Sequence, residues 1–349
     1  MRQANAICNI IQEALDKSDN VLSIPQLCQA AGLPVQTFYS WRRAAGTRSR
    51  REAQDEKDFA IILSAAYSYN GKAINGGPQI YMELLHRDPE HPMNLKKIYR
   101  LMRKYGLRST FRKPNPNKQL AAQMKTHHRF KNILEQNFRC YGPRRVFLTD
   151  ITYIPFQDCF IYLSAIMDSF TKEIVAYKVS ESLAIDFVRD TVIMLLKNHR
   201  NEIADDAIMH SDQGCHYTSN TFIEMMEDAH ITQSMSKKGY CWDNAPQESF
   251  WGHMKDVLDL SACITFSDAA REIDKFMNYY NNRRYQMNLN RLSPREYFQF
   301  CVTGKYPLNV KNPPAAPKVE PPKEGTNLIW NSVKDYIVST DEEDNCSGV

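Results

Sequence analysis

The sequence predicts an α/β fold, a mixed sheet covered by helices on both faces, with small all-α modules ahead of it and a largely disordered tail behind. Three observations lead there. Residues 146–179 hold three short runs rich in Val, Ile, Phe and Tyr, divided by turn segments such as Asp168-Ser-Phe, as consecutive strands are. Helical and short apolar runs alternate after them, the order of a mixed sheet covered by helices. Before residue 112 apolar residues recur at helical spacing instead, and after 305 proline and acidic residues take over.

The bounds set by composition agree. With 43% hydrophobic and 24% charged residues and no apolar run of membrane-spanning length, no membrane partner is expected. The start, MRQANAICNIIQEALDK, lacks the basic-then-apolar order of a secretory signal. Nine scattered cysteines, an odd number with no Cys-x-x-Cys, read as reduced thiols of a cytoplasmic protein. His127, His128 and Cys140 lack tetrahedral spacing, so no zinc is expected. Residues from 312 onward carry three Lys against seven acidic residues, which leaves the preceding chain at +8 out of a net +4. A basic body favours a polyanionic partner.

Taken in order, Ser23 to Arg43 reads as two short helices broken at Gly32 and restarted near Pro34, ending in Arg42 and Arg43. That is a helix-turn-helix pattern, and an ordinary helical hairpin fits the same residues. Leu95, Ile98, Met102 and Tyr105 then mark a helix whose other faces carry Lys96, Lys97, Arg100, Arg103 and Lys104, with Gly106 as its C′ residue. Such a run serves phosphate contact or a solvated helix surface. Residues 113–118, with their prolines, read as a linker. Strands follow at 146–154, 160–167 and 171–179, a helix at 183–199, a strand at 207–210 and a helix at 218–228. Residues 266–297 read as a helix, a Tyr-Asn-Asn-Arg-Arg loop and a Ser-Pro turn, and beyond 305 only 328–338 has apolar residues to dock. The domains are thus 1–52 and 53–118 helical, 119–304 the α/β core with its C-terminal helix, and 305–349 tail.

Three carboxylates stand in unusual settings. Asp150 interrupts an apolar strand, where a buried charge must be paired or bind a cation. Asp212 follows an apolar strand directly, the end at which α/β sheets place ligands. Glu248 opens a helix for which Asn244 is a cap and Gln247 the N3 residue. Lys255, seven residues on, shares its face about 10 Å away; a solvated surface accounts for that pair equally well. His210 and His216 flank Asp212 and read first as structural partners. Hard divalent ions such as Mg²⁺ or Mn²⁺ prefer such oxygen donors, and two of them serve an in-line phosphoryl displacement.

Thr149-Asp150-Ile-Thr-Tyr153, His210-Ser-Asp212-Gln-Gly214 and Gly239 to Lys255, with 35 residues between Asp212 and Glu248, resemble the DDE transposases of bacterial insertion sequences. The closest likeness is to OrfB-type transposases of the IS-three family, relatives of retroviral integrases. Asn281-Asn-Arg-Arg284 and Leu292 to Tyr297 resemble that family's closing elements. The resemblance implies a ribonuclease-H-like, five-stranded core and a catalytic, metal-binding triad Asp150, Asp212 and Glu248 holding two ions. It also implies Lys255 at DNA near the transposon end. Asn244, Arg42, Arg43, Lys97, Arg100 and Arg103 are the further candidates for DNA contact. The implied activity cleaves element ends and joins 3′-hydroxyls to target DNA through a circular intermediate. Its implied partners are double-stranded DNA with terminal inverted repeats, further copies of the chain on DNA and an upstream protein of the same element. A nuclease without joining and a catalytically silent DNA-binding regulator are the alternatives.

Overall fold

The computed structural model describes residues 2–69, 71–109, 132–134, 138, 141–236 and 244–319. Residues 113–118 and 328–338, with His127, His128, Cys140 and the 237–243 approach to Glu248, lie outside them. The chain forms two compact units, 1–73 with 94–108, and 74–93 with 109–349.

In the first unit, α1 (Arg2–Leu15), α2 (Ile24–Ala30) and α3 (Val35–Arg43) close around Cys8, Ile11, Cys28, Leu33 and Phe38. The Ser23 backbone N–H donates to Gln26 Oε1 at 2.9 Å, which fixes the start of α2. Gly32, at φ +63°, makes the left-handed turn into α3. Phe38 is fully buried on the inner side of α3, while Gln36, Tyr39, Ser40 and Arg43 are exposed. Two short helices joined at Gly32 therefore form where the sequence places them.

The long α4 (Ala45–Ala66) pairs with α6 (Leu95–Lys104); the intervening α5 (Gly77–Arg87) belongs to the second unit, although the sequence boundaries group it with α6. Charge defines the α4–α6 seam. Arg100 donates to both oxygens of Asp55 at 2.7 and 2.8 Å, Lys104 reaches Glu52 at 2.6 Å and Asp55 at 2.9 Å, and Lys97 pairs with Asp58. Gly106, at φ +70°, ends α6 as its C′ glycine.

The second unit is built on a five-stranded mixed sheet in the order β3-β2-β1-β4-β5. Strands β1 (Val146–Phe156), β2 (Cys159–Asp168) and β3 (Ile174–Ser180) form an antiparallel meander, and β4 (Ile208–Ser211) and β5 (Thr232–Met235) add parallel beyond β1. Between them run α7 (Ile185–His199) and α8 (Asn220–Asp228), and α9 (Ala245–Val257), α10 (Phe266–Arg283) and α11 (Pro294–Thr303) complete the unit. On one face Phe147, Ile166, Ala176 and Met209 meet Val188, Val192 and Leu195 of α7 and Phe222 and Met226 of α8. Alternation sends Asp150 to the other face from Phe147, where it meets Trp251 of α9. Helices therefore cover both faces, as predicted.

Two sequence expectations change near the end of the chain. Asn281, Asn282 and Arg283 form the last turn of α10 rather than a loop. Asn281 accepts from the Ile174 N–H and donates to the Ile174 carbonyl, both at 2.9 Å, so its amide completes the exposed ladder of the edge strand β3. The Ser-Pro turn opens α11, because Ser293 and Glu296 exchange cap hydrogen bonds and Pro294 fits the first turn. Past residue 305 the chain stays packed for a further stretch. Tyr306 and Leu308 rest on Phe170, Leu289, Leu292 and Phe300, and the Tyr306 hydroxyl donates to the Asn290 carbonyl at 2.8 Å.

A buried ionic hub ties these elements together. Arg144 donates to Asp168, Glu173 and Glu202 at 3.1, 2.6 and 2.9 Å, and its guanidinium lies 3.9 Å above the Phe298 ring. Bidirectional pairing of this kind satisfies charges that burial alone would penalise heavily.

Candidate active site

Sheet register explains how two of the three carboxylates meet. Leu148 of β1 lies opposite His210 of the parallel strand β4, so Asp150 and Asp212, each two residues further, stand side by side at the carboxyl end of β4. Neighbouring strands lie about 4.8 Å apart. Asp150 continues β1, opposite Ala165 of β2. Asp212 is the residue after β4, where the chain leaves the sheet. Glu248 comes from the first turn of α9, the helix that packs on β1.

Hydrogen bonds fix the two aspartates. Asp150 Oδ1 accepts the Ile151 N–H at 2.8 Å and Oδ2 accepts the Trp251 indole N–H at 2.9 Å. Asp212 Oδ1 accepts the Gly214 N–H at 2.9 Å. Burial, then the charge of Asp212 and more weakly that of Glu248, push the Asp150 carboxyl up to about 7 against the two donors. Burial also raises Asp212, opposed by the Gly214 N–H and by His216. The charges of Asp212 and Glu248 thus bear on Asp150 in a partly desolvated place, a local surplus of negative potential that suits a cation. An all-oxygen donor set suits a hard divalent ion such as Mg²⁺ or Mn²⁺. Among the described residues no three acidic, His or Cys side chains already stand at coordinating distances.

The remaining sequence candidates separate by setting. Lys255 is exposed on the last turn of α9. Asn244 precedes α9 as expected, but it is 6% exposed, makes no side-chain cap hydrogen bond and leaves its Oδ1 without a partner. Its backbone at φ −126°, ψ 27° is not the extended conformation that a capping side chain needs. Arg42 and Arg43 are exposed at the end of α3, and Arg103 is exposed on α6. Lys97 and Arg100 instead serve the α4–α6 seam through Asp58 and Asp55.

Both histidines beside Asp212 are structural. His210 is fully buried, its ring nitrogens at 2.9 and 3.0 Å from the hydroxyls of Ser234 and Ser236. His216 donates from Nε2 to the Leu183 carbonyl at 2.7 Å. Sequence reasoning missed Trp251, Gly214 and Tyr217. The Tyr217 hydroxyl lies buried 3.3 Å from Thr149 Oγ1, and the charges of Asp150 and Asp212 bear on it. Only Trp251 left a usable signal, a tryptophan three residues after the helical carboxylate.

A mixed sheet of this order, with one aspartate on β1, another directly after the adjacent parallel β4 and a glutamate on the helix that packs on β1, is the arrangement of the integrase-core class. The integrase core domain family matches residues 122–241, and a second family of the same description matches residues 229–294. The chain is 30% identical over 264 residues to the transposase for insertion sequence element IS904 of Lactococcus lactis, covering 74% of this chain and 98% of the relative. It is 34% identical over 206 residues to an uncharacterized transposase-like protein of Haemophilus influenzae, covering 59% and 93%. Transposase InsF for insertion sequence IS3A of Escherichia coli is 27% identical over 243 residues, covering 69% and 81%. The solved HTLV-2 integrase catalytic core domain in complex with magnesium covers 46% of this chain and 99% of its own, at 16% identity and a TM-score of 0.35. This chain belongs to the insertion-sequence transposases with an integrase core. Among the described residues no helix is long and apolar enough to cross a membrane.

Proposed function

We propose that this transposase cleaves the ends of its element and joins the freed 3′-hydroxyls to target DNA, with Asp150, Asp212 and Glu248 as the residues that hold divalent metal. The observation that carries the proposal is the register that sets Asp150 beside Asp212, with the charge of Glu248 felt at Asp150. Two Mg²⁺ or Mn²⁺ ions, when bound, would supply activation of the attacking oxygen and stabilisation of the leaving one. The protein's part is to hold the carboxylates and the DNA. Asp150 and Asp212 are anchored by N–H donors that leave lone pairs on both carboxylates. Lys255, exposed on the helix of Glu248, would meet a backbone phosphate, and the exposed α3 face with Arg42 and Arg43 would meet duplex DNA. The DNA partner is a duplex bearing the element's terminal inverted repeats, and the working form comprises several copies of the chain, with an upstream protein of the element as a further partner.

The test uses full-length protein, a pre-cleaved duplex carrying the terminal repeat and a target duplex. Asp150→Asn and Glu248→Gln are expected to abolish cleavage and joining while duplex affinity stays within about twofold. Mg²⁺-dependent joining by either variant overturns the assignment. Cleavage without joined products by the native protein would identify a nuclease instead.

A further inference from the structure

The hydrogen bond from Trp251 to Asp150 joins residues 101 positions apart in sequence at 2.9 Å. We propose that Trp251 is a positioning residue of the metal site: its indole N–H holds the Asp150 carboxylate in the orientation that receives a divalent cation. The inference rests on the reading of Asp150 as a metal ligand.

A carboxylate turns easily about its last torsion, which is broad and roughly two-fold. One donor would leave that rotation open. Asp150 has a donor on each oxygen, the Ile151 backbone N–H on Oδ1 and the Trp251 indole on Oδ2, and two such bonds fix the plane of the group. Each oxygen keeps lone-pair capacity for a cation. The kind of donor matters as well. Lysine or arginine at 251 would hold the carboxylate but cancel much of its charge, whereas an indole is a neutral donor with no acceptor of its own.

The donor itself cannot swing away. Trp251 is 6% exposed and its ring lies against Phe250 at 4.8 Å between centroids. A second tether from the same helix lands beside it: Gln247 Nε2 donates to the carbonyl of Ala165 at 3.3 Å, and Ala165 is the residue paired with Asp150 across the sheet. Trp251 and Glu248 are three residues apart, neighbours on the surface of α9. One rigid helix therefore carries a ligand of the site and the strut for another ligand, and the Trp251 bond sets the depth of Glu248 over β1. Partners behind metal ligands typically change affinity by about 10–100-fold when lost.

The experiment replaces Trp251 in the full chain by 3-benzothienylalanine, which keeps the bicyclic shape and puts sulfur in place of the N–H, and separately makes Trp251→Phe. Mn²⁺ binding is read from the loss of the free-ion paramagnetic resonance signal, alongside thermal melting. The isostere is expected to melt like the native protein and to bind Mn²⁺ about tenfold more weakly or worse. Joining should then need correspondingly more Mn²⁺ and recover at saturation. An isostere that melts normally and binds Mn²⁺ within twofold of the native protein overturns the proposal, since packing alone would then explain Trp251. Asp150→Asn runs in parallel, and undiminished Mn²⁺ binding there would overturn the ligand reading itself.

Discussion

Asp212 is held by a turn in which residue 214 has no room for a Cβ while the carboxylate keeps its place. The Gly214 N–H donates to Asp212 Oδ1 at 2.9 Å, and a Cβ at 214 would stand 2.8 Å from that same oxygen, closer than any unstrained carbon contact. Gly214→Ala must therefore push the carboxylate aside or open the turn. Displacing a reacting group by about 1 Å costs on the order of 10²-fold in rate, so joining is expected to fall about 10²-fold, with duplex affinity and melting temperature close to native. A gel assay of joined product measures the first, and an unchanged rate would show that the carboxylate has room to relax. Residue-level legibility follows from locality. Asp150 and Asp212 stood out because a charge beside or inside an apolar strand is conspicuous in a linear sequence. Trp251 did not, because its partner is on another element and a tryptophan in a helix ordinarily signals packing.

Among the helices, the same reasoning by charge met a different outcome. Lys97 and Arg100 read as phosphate contacts because their acidic partners on α4 lie some forty residues away in sequence, beyond what a single helix face reveals. In the folded unit Arg100 spans both oxygens of the buried Asp55. Arg100→Ala is expected to cost the first unit about 1.5–3 kcal/mol, the range for hydrogen bonds to charged groups, seen as a lower urea midpoint for its helices. Arg42→Ala and Arg43→Ala should leave that midpoint alone and each reduce the slope of log affinity for duplex DNA against log salt by about 1. The reverse assignment of effects would restore α6 as the DNA-contacting helix. Acid sharpens the distinction. The hydrogen bonds of Arg100, and after them those of Lys104, hold the Asp55 carboxyl far below the usual carboxylate range. Its stabilisation is therefore complete above the unfolded value near 4 and declines as pH falls toward the folded one. Acid unfolding of this unit should begin below about pH 4 and move upward in Arg100→Ala.

The order of elements across the whole chain was readable because period-2 and period-3.6 patterns are local, and the meander followed from its short turns. What escaped was set by contacts over long separations, such as α5 joining the sheet unit and Tyr306 and Leu308 extending it past 305. Charge is the other property that belongs to the molecule rather than to any element. Residues 312–349 hold a net −4, and the rest of the chain +8. A negative segment on a basic DNA-binding chain competes with phosphate for the same cations within a Debye length, about 10 Å at 0.1 M salt. Removing residues 312–349 is then expected to raise affinity for non-specific duplex several-fold at 50 mM salt. The gain should shrink as salt rises and vanish by about 300 mM, because an intramolecular competitor and DNA counterions are screened alike. Fluorescence anisotropy across a salt series gives both numbers. An affinity that does not change on truncation at low salt would mean that the acidic residues never reach the cationic faces of the chain, and that its charge asymmetry has no part in DNA binding.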